Sequence, residues 1–230
     1  MTIDKKILQT KILEKLKDNY QSKIIDSEYI TFKTNKNSID IEFSFRIQFY
    51  NRISFEGFKI CLIEIEDKIY PLILKELNNF YSKYFGISFM RFYKPEIEFS
   101  IYEINNEEDI NLYLNHVIQC LEYHEKEVFP KLLDINFLAE YVGSVPFENQ
   151  LEIPVGGKYP VSLFKKLAVL KWGGEEEKYM LYKKGLAEFI EEDFKDPKYG
   201  DEAPTYKKGY LKLIKHLENE PNPLKKNNIC

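Results

Sequence analysis

The stretch from Ile39 to Phe49 reads Ile-Asp-Ile-Glu-Phe-Ser-Phe-Arg-Ile-Gln-Phe, with apolar and polar residues in strict alternation. Successive side chains of a β-strand point to opposite faces, so this pattern predicts a long strand with one buried and one solvated face. Antiparallel sheets tolerate a solvated face, whereas parallel sheets are usually covered on both sides. The stretch therefore predicts an antiparallel meander sheet with helices packed on one face.

The segments around this strand extend the same prediction. Residues 4–20 carry apolar side chains at helical spacing, and residues 28–33 have the pattern of a short strand. The polar residues 34–38 suit a hairpin turn. Beyond the long strand the alternation resumes at Ile53 and is interrupted at Gly57, where a glycine inside a strand indicates a bulge or bend.

The next part of the chain adds helices to the meander. Residues 67–85 predict a helix that stops at Gly86, and residues 96–104 predict a further strand. Residues 105–123 predict a well-formed helix, and residues 131–142 a short one. The element order α-β-β-β-α-β indicates an α+β layer arrangement rather than βαβ units.

The composition changes after residue 142. Eight of the ten glycines lie beyond this point, and residues 143–160 have no periodicity of their own. Three helices are predicted beyond them, at 161–171, 175–194 and 205–218. We therefore predict an α+β domain over residues 1–142, a connector over 143–160, a helical subdomain over 161–220 and a flexible tail over 221–230.

A short sequence repeat occurs in the helical part. Tyr-Lys-Lys-Gly ends at Gly185 and again at Gly209. Glycine inside a helix costs roughly 1 kcal/mol relative to alanine, so these two positions predict a close approach of neighbouring helices in a helical hairpin, unless the repeat is coincidence.

The charged residues argue against one class of partner. The formal net charge is −4, and only Arg46, Arg52 and Arg91 are arginines among 33 basic residues. Arginine is the preferred residue for phosphate and base recognition, so we expect no nucleic-acid binding. The acidic balance suits solubility or a basic protein partner that is reached by electrostatic steering.

The cysteines and the hydropathy predict the cellular location of the protein. Cys61, Cys120 and Cys230 are odd in number and lack the spacing of a disulfide framework. The first six residues have no apolar signal core, and no stretch of eighteen uncharged apolar residues occurs. We therefore expect reduced thiols, a cytoplasmic location and no membrane association.

The best metal candidate is the trio His116, Cys120 and His124. Residues four apart lie about one helical turn apart, so neighbouring members of the trio would be able to share an ion. The outer two are about 12 Å apart along a straight helix, so all three cannot bind one ion there. The alternative is ordinary packing along the edge of the apolar stripe.

Two other catalytic patterns are incomplete. Cys120 and His124 would place a thiol next to a base, but no orienting group or oxyanion hole is recognisable. Gly156-Gly157-Lys158 lacks the earlier glycine and the following Ser or Thr of a P-loop, so it indicates a tight turn. We expect no cofactor and assign no catalytic residue.

The candidate partner-binding residues are Arg46, Arg52, Tyr50 and Trp172. Arg46 belongs to the polar face of the long strand, and Arg52 and Tyr50 follow in the predicted hairpin, with Tyr29 as a further contributor. The alternative for the arginines is cross-strand salt bridges. Trp172 is the only tryptophan, and it either staples two helices around Gly173-Gly174 or forms a binding hot spot.

The order of a helix, three meander strands, a helix, a strand and a helix that leads into Val128-Phe-Pro-Lys-Leu-Leu-Asp-Ile135 resembles several uncharacterised bacterial α+β families. Some of these families occur as toxin-immunity proteins. The resemblance covers residues 4–142, rests on pattern and transfers no functional residue. It implies a small cytosolic protein that works by binding another protein.

Three functional hypotheses follow. The first is a non-catalytic protein-binding module, of the immunity type if the resemblance holds, that acts by covering a surface of its partner. The second is a metal-binding protein or metal-assisted hydrolase that uses His116, Cys120 and His124. The third is a structural subunit of a larger assembly. The sequence leaves the partner and the oligomeric state open.

Overall fold

The computed structural model describes residues 4–24, 26, 28–48 and 51–224. The chain divides into two compact units. Unit 1 comprises the described residues of 1–61 and 86–130, and unit 2 comprises those of 62–85 and 131–230. The structure thus groups residues 62–85 with the C-terminal helices, a division that differs from the predicted boundaries at 142 and 161.

The predicted α+β class, with antiparallel strands and a helical C-terminal part, is confirmed. The elements in chain order are α1 (Lys5–Leu16), β1 (Gln21–Ile24), β2 (Tyr29–Lys36), β3 (Ile39–Ile47), β4 (Arg52–Leu62), α2 (Ile63–Ile69), β5 (Tyr81–Ile87), β6 (Tyr102–Glu103), α3 (Glu107–Tyr123), α4 (Ile135–Val142), β7 (Val155–Gly157), α5 (Val161–Trp172), α6 (Glu176–Asp193) and α7 (Ala203–Asn219).

In unit 1 the long alternating stretch forms the predicted strand. Its five described apolar residues, from Ile39 to Ile47, are buried, while the residues between them are half-buried or exposed. β3 pairs with β2, β2 pairs with β1, and β6 pairs with β4, all antiparallel. Asn37 and Ser38 form the hairpin turn with φ of 51° and 65°, the left-handed conformation that two-residue hairpins require. Phe49 lies outside the described residues.

Aromatic rings and two helices build the core of unit 1. Phe43 stacks on Phe32 at 5.3 Å, and Phe55 contacts Phe45 at 5.5 Å. The helices α1 and α3 pack against each other. α3 begins where predicted, because the Asn106 side chain accepts a hydrogen bond from the Asp109 backbone N–H in a capping box. The polar face of the sheet is left on the opposite side.

β4 contains the bulge predicted at Gly57. The residues with buried apolar side chains are Ile53 and Phe55 before the glycine and Phe58 and Ile60 after it. This shift of the alternation by one residue marks an extra residue in the strand. Gly57 has a φ of 79°, a conformation that glycine adopts without strain.

The prediction of a helix over residues 67–85 is wrong. Helix α2 ends at Ile69, two 3-10 turns follow, and Tyr81–Ile87 forms β5. Pro71 lies in the first 3-10 turn and has no backbone N–H to continue an α-helix. Within unit 2, β5 pairs with β7 through Tyr81 opposite Gly157 and Phe85 opposite Val155. The apolar spacing alone does not reveal this long-range pairing, and Gly86 is a strand residue rather than a helix stop.

The strand predicted over residues 96–104 is mostly irregular. Only Tyr102 and Glu103 pair, with Ile53 and Arg52 of β4. Phe99 nevertheless accepts a hydrogen bond from the Phe55 backbone N–H at 2.9 Å, so the segment follows β4 without forming a continuous ladder.

Unit 2 is built around α5. This helix packs against α4, α6 and α7, and all but two of its twelve residues are buried. The predicted connector carries a 3-10 turn at residues 147–152 and strand β7. Glycines 173 and 174 separate α5 from α6, whose first turn holds two glutamates, as predicted. None of the helices in the described ranges has the length and apolarity of a membrane span. The predicted tail lies outside the described residues from position 225 onward.

Both glycines of the repeat lie at close approaches, but their nearest neighbours belong to the predicted connector, to α5 and to Leu77 rather than to the other helix of the predicted hairpin. A Cβ atom at Gly185 would fall 2.4 Å from ring carbons of Phe147. A Cβ atom at Gly209 would lie 3.0 Å from Phe164 and from the Leu77 methyl group. The two helices α6 and α7 therefore use the missing side chains for packing.

We expect Gly185→Ala to lower the free energy of unfolding by roughly 1–3 kcal/mol, because the new methyl group overpacks a ring. Gly209→Ala is the matched control, since its contacts are 3.0 Å or longer and the helical gain of about 1 kcal/mol offsets them. Urea unfolding followed by Trp172 fluorescence measures both. A Gly185→Ala protein as stable as the natural one would contradict the close approach.

Candidate functional site

The outer face of the unit 1 sheet presents polar side chains from three neighbouring strands. Tyr29, Thr31 and Lys33 of β2 stand opposite Arg46, Ser44 and Glu42 of β3. From β4, Glu56 and Lys59 extend this face and are exposed. This is the surface that the alternation of residues 39–49 places away from the core.

A groove of about 380 Å³ lies on this face. Its volume falls within the range of small-ligand sites and suits an inserted side chain of a partner. The lining residues are Tyr29, Thr31, Glu42, Ser44, Glu56, Gly57 and Lys59.

The groove exists because small residues lie side by side on adjacent strands. Thr31 stands opposite Ser44, and their hydroxyl oxygens are 2.9 Å apart in a hydrogen bond. Gly57 of β4 also lines the groove. Longer side chains, such as Tyr29 and Glu42, surround these three residues and form the walls.

One wall of the groove carries a carboxylate with two cationic partners. Glu42 lies 2.7 Å from the Nζ of Lys33 and 3.6 Å from the Nζ of Lys59. Both lysine side chains are more than half exposed, so solvent screens these ion pairs and each contributes at most about 1 kcal/mol.

The other wall carries a carboxylate that lacks a cation. The Ser54 hydroxyl donates a hydrogen bond to Oε1 of Glu56 at 2.7 Å and fixes the orientation of the carboxylate. Gln48 in turn lies 3.3 Å from the Ser54 hydroxyl. In the described part of the chain, no lysine or arginine forms an ion pair with Glu56. The groove therefore offers an oriented negative group next to two hydroxyls.

The predicted partner-binding arginines have different surroundings. Arg46 lies over the Tyr29 ring, 5.4 Å from its centroid, and 3.9 Å from a carboxylate oxygen of Glu28. It therefore borders the groove through Tyr29. Arg52 is exposed and stands opposite Glu103 of β6. Tyr50 lies outside the described residues.

Trp172 is buried in unit 2, with 4% of its surface exposed. Its backbone carbonyl accepts a hydrogen bond from the Asn222 side chain at 2.6 Å. The tryptophan ring thus packs at the end of α5, before the Gly173-Gly174 turn. This position agrees with the interpretation that Trp172 holds two helices together, and it leaves little of the ring exposed for a partner to contact.

Cys120 and His124 meet in the interior of unit 1. The His124 Nδ1 lies 2.7 Å from the Cys120 carbonyl oxygen and 3.5 Å from the Cys120 sulfur. Burial raises the pKa of the Cys120 thiol to about 12 and lowers the pKa of His124 to about 4. At neutral pH the pair is therefore an uncharged thiol and an uncharged imidazole without solvent access, which does not supply a nucleophilic thiolate.

The predicted metal trio is not assembled into a ligand cluster. His116 is half-buried with an unpartnered Nδ1, and it shares α3 with Cys120. Across the described ranges, no group of three or more His, Cys, Asp or Glu side chains is placed to hold a metal ion. The structure brings together only the Cys120–His124 pair.

Unit 2 contains a buried charge cluster that the sequence interpretation missed. The Lys165 Nζ lies 2.5 Å from Oε1 of Glu66, and both side chains are almost fully buried. This contact is an ion pair without hydrogen-bond geometry at Oε1, whereas the Tyr81 hydroxyl donates to Oε2. Burial raises the pKa of Glu66, against the opposing effect of Lys165, Tyr81 and Lys83.

A second buried lysine follows in the same helix. Lys166 donates a hydrogen bond to the Gln150 carbonyl, and burial lowers its pKa to about 8. Residues 161–172 are largely apolar, which is typical of a buried helix, but the packing around the helix decides which of its lysines enter the core, since Lys171 stays partly exposed. Lys165 and Lys166 are buried, so they are not part of an exposed reactive surface.

The chain matches no protein-family model, no curated protein and no solved structure.

Proposed function

We propose that this protein is a non-catalytic binding module that covers a surface of another protein with the outer face of the unit 1 sheet. The observation that carries the proposal is the groove over Thr31, Ser44 and Gly57. An immunity-type role by occlusion of a partner would use such a face.

The distribution of charged groups supports a protein partner. The groove combines hydroxyls, an aromatic ring, a carboxylate paired with two lysines and a second, exposed carboxylate, as polar protein interfaces do. The strained or reactive groups of an enzyme site are not gathered there, while the titratable groups with large pKa shifts lie in the core. The surface thus suits recognition by shape and charge.

Ser44→Tyr tests the proposal by filling the groove from its floor. Strands accept tyrosine well, and Ser44 points to the polar face, so the fold tolerates the change. Asn35→Tyr is the matched control, because Asn35 is exposed on the same face of β2 outside the groove. Tagged natural protein and both variants are used to capture partners from a lysate of the cells that make the protein.

We expect one stoichiometric partner on the natural protein and on the Asn35→Tyr protein, and a loss of roughly tenfold or more in affinity for Ser44→Tyr. Titration of the purified partner by calorimetry gives the affinities. Raising the salt from about 0.1 M to about 1 M should weaken binding, since the Debye length falls from roughly 10 Å to 3 Å. Equal partner binding by the two tyrosine variants would remove the groove from the interface.

A further inference from the structure

We draw no further inference here: the strongest candidate, the groove between Thr31, Ser44 and Glu56 on the outer face of the unit 1 sheet, belongs to the site already described, and nothing in the described part of the chain shows what covers it.

Discussion

Replacing Lys165 by methionine is expected to lower the free energy of unfolding of unit 2 by roughly 3–5 kcal/mol. The substitution keeps the length and apolar volume of the side chain and removes only the ammonium group. Glu66 would then hold a buried negative charge whose nearest cation is gone. An uncompensated buried charge is among the few single changes with an effect of this size.

The contacts of Lys165 explain why the loss is large. Its Nζ pairs with Glu66, donates to the Ser82 carbonyl at 2.8 Å and lies 4.5 Å from the Phe85 ring centroid. All of these partners belong to unit 2. Removing the ammonium therefore leaves the Ser82 carbonyl without this donor and the Glu66 carboxylate without this cation, while the Tyr81 hydroxyl still donates to Glu66.

Two further variants identify the cause. Lys165→Met combined with Glu66→Gln should recover more than half of the loss, because glutamine is uncharged and still offers an oxygen to the Tyr81 hydroxyl. Lys171→Met makes the same substitution in the same helix at an ion pair with Glu176 on the surface, and should cost less than about 1 kcal/mol.

Urea unfolding followed by Trp172 fluorescence measures these variants, since the tryptophan lies at the end of the same helix. A Lys165→Met protein that loses no more stability than Lys171→Met would show that Glu66 becomes protonated at little cost. In that case the double variant would gain nothing over the single one.

The second large effect is a dependence of unit 1 stability on pH that originates at His124. The imidazole has no exposed surface and contacts the rings of Phe58 at 4.7 Å and Phe129 at 5.8 Å. Its Nδ1–H donates to the Cys120 carbonyl, and its Nε2 has no hydrogen-bond partner. Protonation would place a charge on that nitrogen among aromatic side chains.

The sign of the effect follows from the two pKa values. Burial lowers the pKa of His124 from 6.5 to about 4, so between these values the unfolded chain binds a proton that the folded chain does not. The contribution to stability is present above pH 6.5, falls as the pH drops toward 4 and levels off below that. The shift corresponds to about 3 kcal/mol over this window.

His124→Phe isolates this contribution, because phenylalanine fits aromatic surroundings and does not titrate. The difference in unfolding free energy between the natural and the variant protein should change by about 3 kcal/mol between pH 7 and pH 4, with the natural protein losing more. Urea unfolding followed by circular dichroism at several pH values measures it.

His216→Gln, a histidine variant in α7 of unit 2, should keep the His124 contribution and thus serves as the control. A difference between natural protein and His124→Phe that is constant with pH would mean that the folded state accommodates the imidazolium. The pH dependence would then come from carboxylates elsewhere.

The predictions from periodicity succeeded where the burial of a segment is set by its own sequence. The alternation over Ile39–Ile47 and the glycine at position 57 determined the strand, its two faces and its bulge. The capping residues Asp4 and Asn106 determined where α1 and α3 begin. Such signals are local, because each depends on a single capping hydrogen bond or on the residue spacing within one strand.

The failures occurred where a partner distant in sequence decides the structure. The pairing of β5 with β7 overrides an apolar spacing that is compatible with a helix, and it joins residues seventy or more positions apart. Lys165 and Lys166 were overlooked because their burial depends on which elements surround α5.

The amino-acid sequence by itself determined the α+β class and the polar outer face of the sheet. Only the tertiary structure decided which residues lie against Gly185 and Gly209, and that Thr31 and Ser44 pair side by side and line a groove together with Glu56. The reason is that a strand's own sequence fixes the direction of each side chain, whereas the register between strands fixes which side chains become neighbours.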